Sequence, residues 1–183
     1  MVFTALKLPA MAELTNPTIL LVVDRIDLDT QITGTFNASD VPGLVSADSR
    51  HELQTMLSQG ARKIIITTIH KFGEVDGVLD ARQNVIAMVD EAHRSQEGDY
   101  GQKMREALPN AFLFGLTGTP INKRDRNTFM WFGSPDDEGG YLSRYTFQDS
   151  IRDGATLPLH FEPRLSEIHL DQEKIDAAFE ELA

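Results

Sequence analysis

The sequence predicts a doubly wound α/β domain. Short apolar runs recur along it, those runs are continuously rather than alternately hydrophobic, and segments of helical pattern separate them. The first run is "TILLVV" at 18–23, rich in branched side chains and read as a buried strand. A helix is expected over "DSRHELQTMLSQG" at 48–60, where Asp and Ser supply a start and Gly a stop. "KIIITT" at 63–68 and "NVIAMVD" at 84–90 give two more strands. "YGQKMREAL" at 100–108 reads as a helix that ends ahead of a proline, and "AFLFGLT" at 111–117 as a fourth strand. A loop is placed at the Gly- and Asp-rich "GSPDDEGGY", 133–141. Beyond it come a short helix ending near Gly154, an extended segment, and a terminal amphipathic helix over "QEKIDAAFEEL". The tail from 145 to 183 therefore has the look of a junction, and 1–144 that of the main domain.

Composition narrows the function. The 183 residues suffice for one domain and part of another, with ordinary hydrophobic (41%) and charged (25%) fractions. No apolar run nears the roughly 18 to 20 residues of a membrane span, and the apolar opening lacks a basic lead and a cleavage site. A cytoplasmic protein with no membrane partner is expected. With no cysteine, disulfides, thiolate catalysis and cysteine-ligated zinc are excluded. A net charge of −11 argues against a broad basic surface for nucleic acid. Because the acids crowd into "GSPDDEGG" and "DQEKIDAAFEEL", a local basic strip is still compatible with that total.

In parallel sheets ligands bind beyond the carboxyl ends of strands, so residues just after each run carry the functional interest. "NVIAMV" delivers Asp90 and Glu91 there. Adjacent acids suit magnesium-dependent phosphoryl transfer, one holding the metal and the other orienting or deprotonating the attacking water. A bare pair of acids is more often a solvated strand end. Here Ala92 and His93 complete "DEAH", and a later apolar run ends in "LTGTP" at 116–120.

"VDEAH" followed by "LTGTP" resembles motifs II and III of superfamily 2 helicases and translocases, whose motor domains share the RecA-like fold. "LLVVDRIDLDTQ", "TTIHKF", "VDEAHRSQEGDYG" and "YTFQDSIRDGATLPLHFEPRL" look like the motor subunit of type I restriction-modification enzymes. The resemblance implies a RecA-like three-layer parallel sheet. It further implies that Asp90 holds magnesium through its water shell, that Glu91 activates water, and that His93, Thr117, Gly118 and Thr119 couple the ATP site to nucleic acid. Motifs Ia and Ib would place Arg25, Gln31, Thr68, His70 and Lys71 against the DNA backbone. Physically, Arg and Lys neutralise phosphates and Thr hydroxyls position them without reading bases, although a solvated surface explains any one of them equally well.

Implied with the family are ATP and Mg2+ as cofactors, double-stranded DNA contacted without sequence preference, and methylation and specificity subunits as partners. The enzyme would be an ATP-dependent type I site-specific deoxyribonuclease and translocase. The chain contains no G-x-x-x-x-G-K-[ST] phosphate loop. "MVFTALKL" at 1–8 resembles the helix that follows that loop, so the expectation is a fragment lacking the phosphate-loop strand and inactive in isolation. Three alternatives stay open. One is another superfamily 2 enzyme, from a type III restriction or repair system; another is a non-catalytic α/β interaction module. The third, a metal-dependent hydrolase using His51, Asp90, Glu91 and His93, is disfavoured because no HExxH spacing occurs.

Overall fold

Apolar runs that cannot face water on either side fix the architecture. In the computed structural model, which describes residues 1–24, 34, 43–60, 62–73, 75–94, 100–123 and 127–163, they form a five-stranded, all-parallel sheet. The strands are β1 (Thr18–Val23), β2 (Leu44–Ser46), β3 (Ile64–Thr68), β4 (Val85–Val89) and β5 (Phe112–Gly115), in the spatial order β2-β3-β1-β4-β5. Every residue of β1, β3 and β4 is buried. The register sets Val22 beside Thr67 and Val89, so the carboxyl ends of these three strands emerge along one edge.

Successive side chains point to opposite faces, and the core divides accordingly. Leu20, Val22, Ile65, Ala87 and Val89 pack with Leu53 and Leu57 of α2 (Arg50–Ser58) and with Met104 and Ala107 of α3 (Tyr100–Ala107). On the other face Ile19, Leu21, Ile64, Ile66, Ile86 and Met88 pack with Ala5 of α1 (Val2–Lys7). Three layers result, the RecA-like α/β arrangement. Each Leu or Ile so buried contributes about 1.5–3 kcal/mol.

Local signals set the helices. α2 starts at a capping box in which the Ser49 hydroxyl accepts from the Glu52 amide and the Glu52 carboxylate accepts from the Ser49 amide. It ends before Gly60, whose φ of +65° suits a residue without Cβ. At the amino edge, Asp80 is only 6% exposed and takes Arg82 Nε and Nη2 in a forked pair, while Arg82 Nη2 also donates to Thr18 Oγ1 at 2.8 Å.

One helix and one strand go beyond the sequence expectations. β2 is three half-covered residues, and α4 (Thr128–Phe132), capped by the Asn127 side chain, precedes the 133–141 loop. That loop contains a single 3-10 turn at Glu138–Gly140. The chain divides into two compact units, Met1–Leu142 and Ser143–Ala183. Within the second, α5 (Phe147–Arg152) begins at a Thr146/Asp149 capping box, and residues 157–163 run on without strand pairing. The expected terminal helix lies outside the described residues. Among those described, no helix is long and apolar enough to cross a membrane.

Candidate functional site

The acid pair lies where β4 runs out. The Asp90 amide is the last to bond across to β1, donating to Val22 O at 2.8 Å, and the chain then turns sharply. The turn is closed by the Arg94 amide donating to Glu91 O at 2.7 Å, with the Glu91 amide held by Asp90 Oδ1 at 3.0 Å. Glu91 takes a φ of +46°, unusual for a residue that carries a Cβ. Such a conformation persists because neighbours enforce it.

Those neighbours come from the end of β5. Leu116 N donates to Val89 O at 2.8 Å and Ala92 N donates to Leu116 O at 3.0 Å, so the two strand exits interlock through the main chain. Side chains repeat the link. His93 Nδ1 lies 2.8 Å from Thr117 Oγ1, 3.3 Å from Glu91 Oε2 and 3.5 Å from Thr119 Oγ1. Thr117 Oγ1 in turn accepts from the Thr119 amide at 3.1 Å.

One ring nitrogen thus faces three claimants, of which Thr117 and Glu91 lie nearest. With a proton on Nδ1 the ring donates to the Glu91 carboxylate or to Thr117; with that proton on Nε2 instead, Thr117 donates to Nδ1 and the carboxylate meets a lone pair. The state of the Thr117 loop is thereby tied to the freedom of Glu91. The Glu91 side chain is 43% exposed, open enough to meet a water, whereas that of His93 is 17% exposed and braced.

Those of the other expected site residues that are described fall along the same edge with differing access. Thr68, the last residue of β3, is buried, His70 is exposed and sets its ring edge-on to Tyr100 at 5.0 Å, and Lys71 Nζ donates to Ala47 O. Gly118 and Thr119 are exposed. Arg25 and Gln31 lie outside the described residues. His51, on α2, has no place in the acid turn, and no group of three His, Asp or Glu suited to holding a metal occurs among the described residues.

Two residues at the edge escape the motif-based reading. Asp24, at the exit of β1, pairs with Arg94 at 3.4 Å. The strand-end rule that singled out Asp90 applies equally to an acid directly behind "TILLVV". A groove past Pro120, lined by Asn122, Asn127, Phe129, Met130 and Tyr141, continues from the Thr117–Pro120 turn.

The family model for the SWI2/SNF2 ATPase matches residues 1–183. Over its whole length the chain is 38% identical to the HindI type I restriction enzyme endonuclease subunit of Haemophilus influenzae, covering 19% of that protein. It is also 38% identical over its whole length to a protein assigned as the MjaIXP type I restriction enzyme endonuclease subunit of Methanocaldococcus jannaschii, covering 17% of it. Similarity to the SsaAORF53P subunit of Staphylococcus saprophyticus is 31% over 76% of the chain. The chain therefore spans less than a fifth of the length of these relatives.

Proposed function

Because the chain belongs to the SWI2/SNF2 ATPase family, we propose that it supplies the hydrolytic and coupling edge of an ATP-driven DNA translocase, the motor of a type I restriction enzyme acting in the cytoplasm. The observation that carries this reading is the contact of His93 Nδ1 with both Glu91 Oε2 and Thr117 Oγ1, which joins the water-activating acid to the next strand's exit. Asp90 would hold magnesium, and Glu91 would orient or deprotonate the attacking water. His93, Thr117, Gly118 and Thr119 relay between the nucleotide and the DNA track. Along that track Arg25, Gln31, His70 and Lys71 meet phosphates without reading bases, whereas Thr68, buried at the end of β3, is withdrawn from that set.

The donor chemistry fits the metal. One Asp90 oxygen is taken by the Glu91 amide, which leaves a hard carboxylate oxygen at an open strand end. Magnesium retains most of its waters and takes one or two carboxylates together with substrate phosphates, so a three-residue protein cluster is not needed. When bound, the ion neutralises charge on the phosphates; this chain's own residues position the water and accept its proton.

The restriction assembly brings methylation and specificity subunits, the latter reading the DNA sequence, while the nuclease activity resides elsewhere in the enzyme. Since the 183 residues include no phosphate-cradling loop, the chain alone does not turn over ATP. Phosphate release with ATP, magnesium and DNA tests both statements. The chain alone is expected to match its Glu91→Gln variant, and in the complete polypeptide Glu91→Gln is expected to lower turnover about 100-fold or more. Equal turnover of the complete native and Glu91→Gln proteins would refute the assignment.

A further inference from the structure

The acid turn is fastened on two sides, and residues on only one of them were assigned a role from the motifs. Towards β5 it is held by the paired main-chain bonds of Leu116 and by His93 on Thr117. Towards β1, Asp90 N bonds to Val22 O before the left-handed residue. Past Glu91, a side-chain tie to β1 runs through Arg94, whose Nη1 lies 3.4 Å from Asp24 Oδ2. Arg94 occupies both ends of the device, since its own amide closes the turn on Glu91 O at 2.7 Å.

We infer that Asp24 and Arg94 are a positioning pair for ATP hydrolysis: by fastening the acid turn to the exit of β1 they set the reach of Glu91. This rests on the motor reading above and adds two residues to it. Neither side chain is buried, Arg94 being 42% and Asp24 21% exposed, and such pairs contribute little to global stability. Their effect is therefore on geometry rather than on folding. Geometry matters at this point because a general base displaced by a fraction of an ångström loses its alignment with the water while substrate binding is untouched.

The test uses the complete polypeptide in its native assembly, comparing Asp24→Asn, Arg94→Gln, Arg94→Lys and the charge exchange Asp24→Arg with Arg94→Asp. Asp24→Asn and Arg94→Gln are expected to lower DNA-stimulated kcat about 5- to 20-fold, with KM for ATP within about twofold and the melting midpoint unmoved. Arg94→Lys and the charge exchange are expected to recover at least half of the lost kcat. Native kcat in both single variants overturns the proposal. So does a charge exchange or a lysine variant no better than Arg94→Gln, or a loss expressed in KM or in melting rather than in kcat. Glu91→Gln in the same series separates the two levels. If it is inactive while Asp24→Asn behaves as native, the pair falls and the motor reading stands; if it turns over normally, the motor reading falls and takes the pair with it.

Discussion

Replacing Gly115 by alanine should destabilise the first unit, although nothing in the strand conformation of β5 forbids a side chain there. A Cβ at this position would lie 2.7 Å from Phe132 Cγ, 3.0 Å from Phe132 Cβ and 3.0 Å from Ala92 Cβ. These are the stem of a packed ring and the Cβ of a buried residue, not the free end of a flexible chain. Ordinary contact needs a few tenths of an ångström more on every side, so either α4 retreats with Phe132 or the acid turn moves with Ala92. Overpacking of this kind costs about 1–3 kcal/mol, offset by about 0.4–1 kcal/mol from the stiffer unfolded chain. The net, up to about 2.6 kcal/mol and centred on about 1.3, lowers the melting midpoint by up to about 10 °C for a chain of this size. Circular dichroism melts of native and Gly115→Ala measure it, and in a Phe132→Ala background, which lacks the Cγ that the new methyl meets most closely, the same exchange is expected to cost less. A Gly115→Ala protein that melts at or above the native temperature would refute the packing argument.

Removing the hydroxyl that caps α2, by Ser49→Ala, should cost about 1 kcal/mol and lower the midpoint about 2–4 °C, and an unchanged melt would show the capping box to be idle. Arg82→Ala strands the Asp80 carboxylate at the amino edge of the sheet, and because Arg82 is itself partly exposed the loss is expected at about 2–3 kcal/mol, read by urea denaturation. Asp149 accepts from the Thr146 hydroxyl and amide, which hold its pKa below the ordinary carboxylate value. The folded value is the lower one, so the stabilisation is present above the unfolded pKa and is lost as pH falls through the folded one. The NMR amide shifts of Thr146 and Asp149 should accordingly move towards unfolded values only on the acid side of the carboxylate range. Movement on the alkaline side would contradict the sign.

Most of the sheet was legible because strands covered on both faces read as unbroken apolar runs. β1, β3 and β4 each begin and end within one residue of the expected span. β2 was not, since three half-exposed residues leave no pattern above the background of a loop. α4 escaped for a related reason: "TFMWF" is one turn and a half of helix, and its start depends on an Asn127 cap visible only once the fold is known. The placing of Asp90, Glu91 and His93 at the end of β4 was legible because their spacing is local. The Asp24–Arg94 pair joins residues 70 positions apart that only the β1/β4 pairing brings together. Of the residues expected to meet the DNA backbone, Thr68 is buried and His70 exposed past the end of β3, a difference in access that the sequence does not show.

The left-handed backbone at Glu91 bears on how any mutational scan of this position should be interpreted. Glycine would relax a torsional burden at the same moment that it deletes the acid, so a glycine variant reports two opposing changes as one number. Valine, isoleucine and threonine would add a branched-chain penalty unrelated to proton transfer. Glutamine keeps the shape, the length and the torsion, so its outcome speaks of the carboxylate's charge and proton-accepting oxygens with no backbone contribution mixed in.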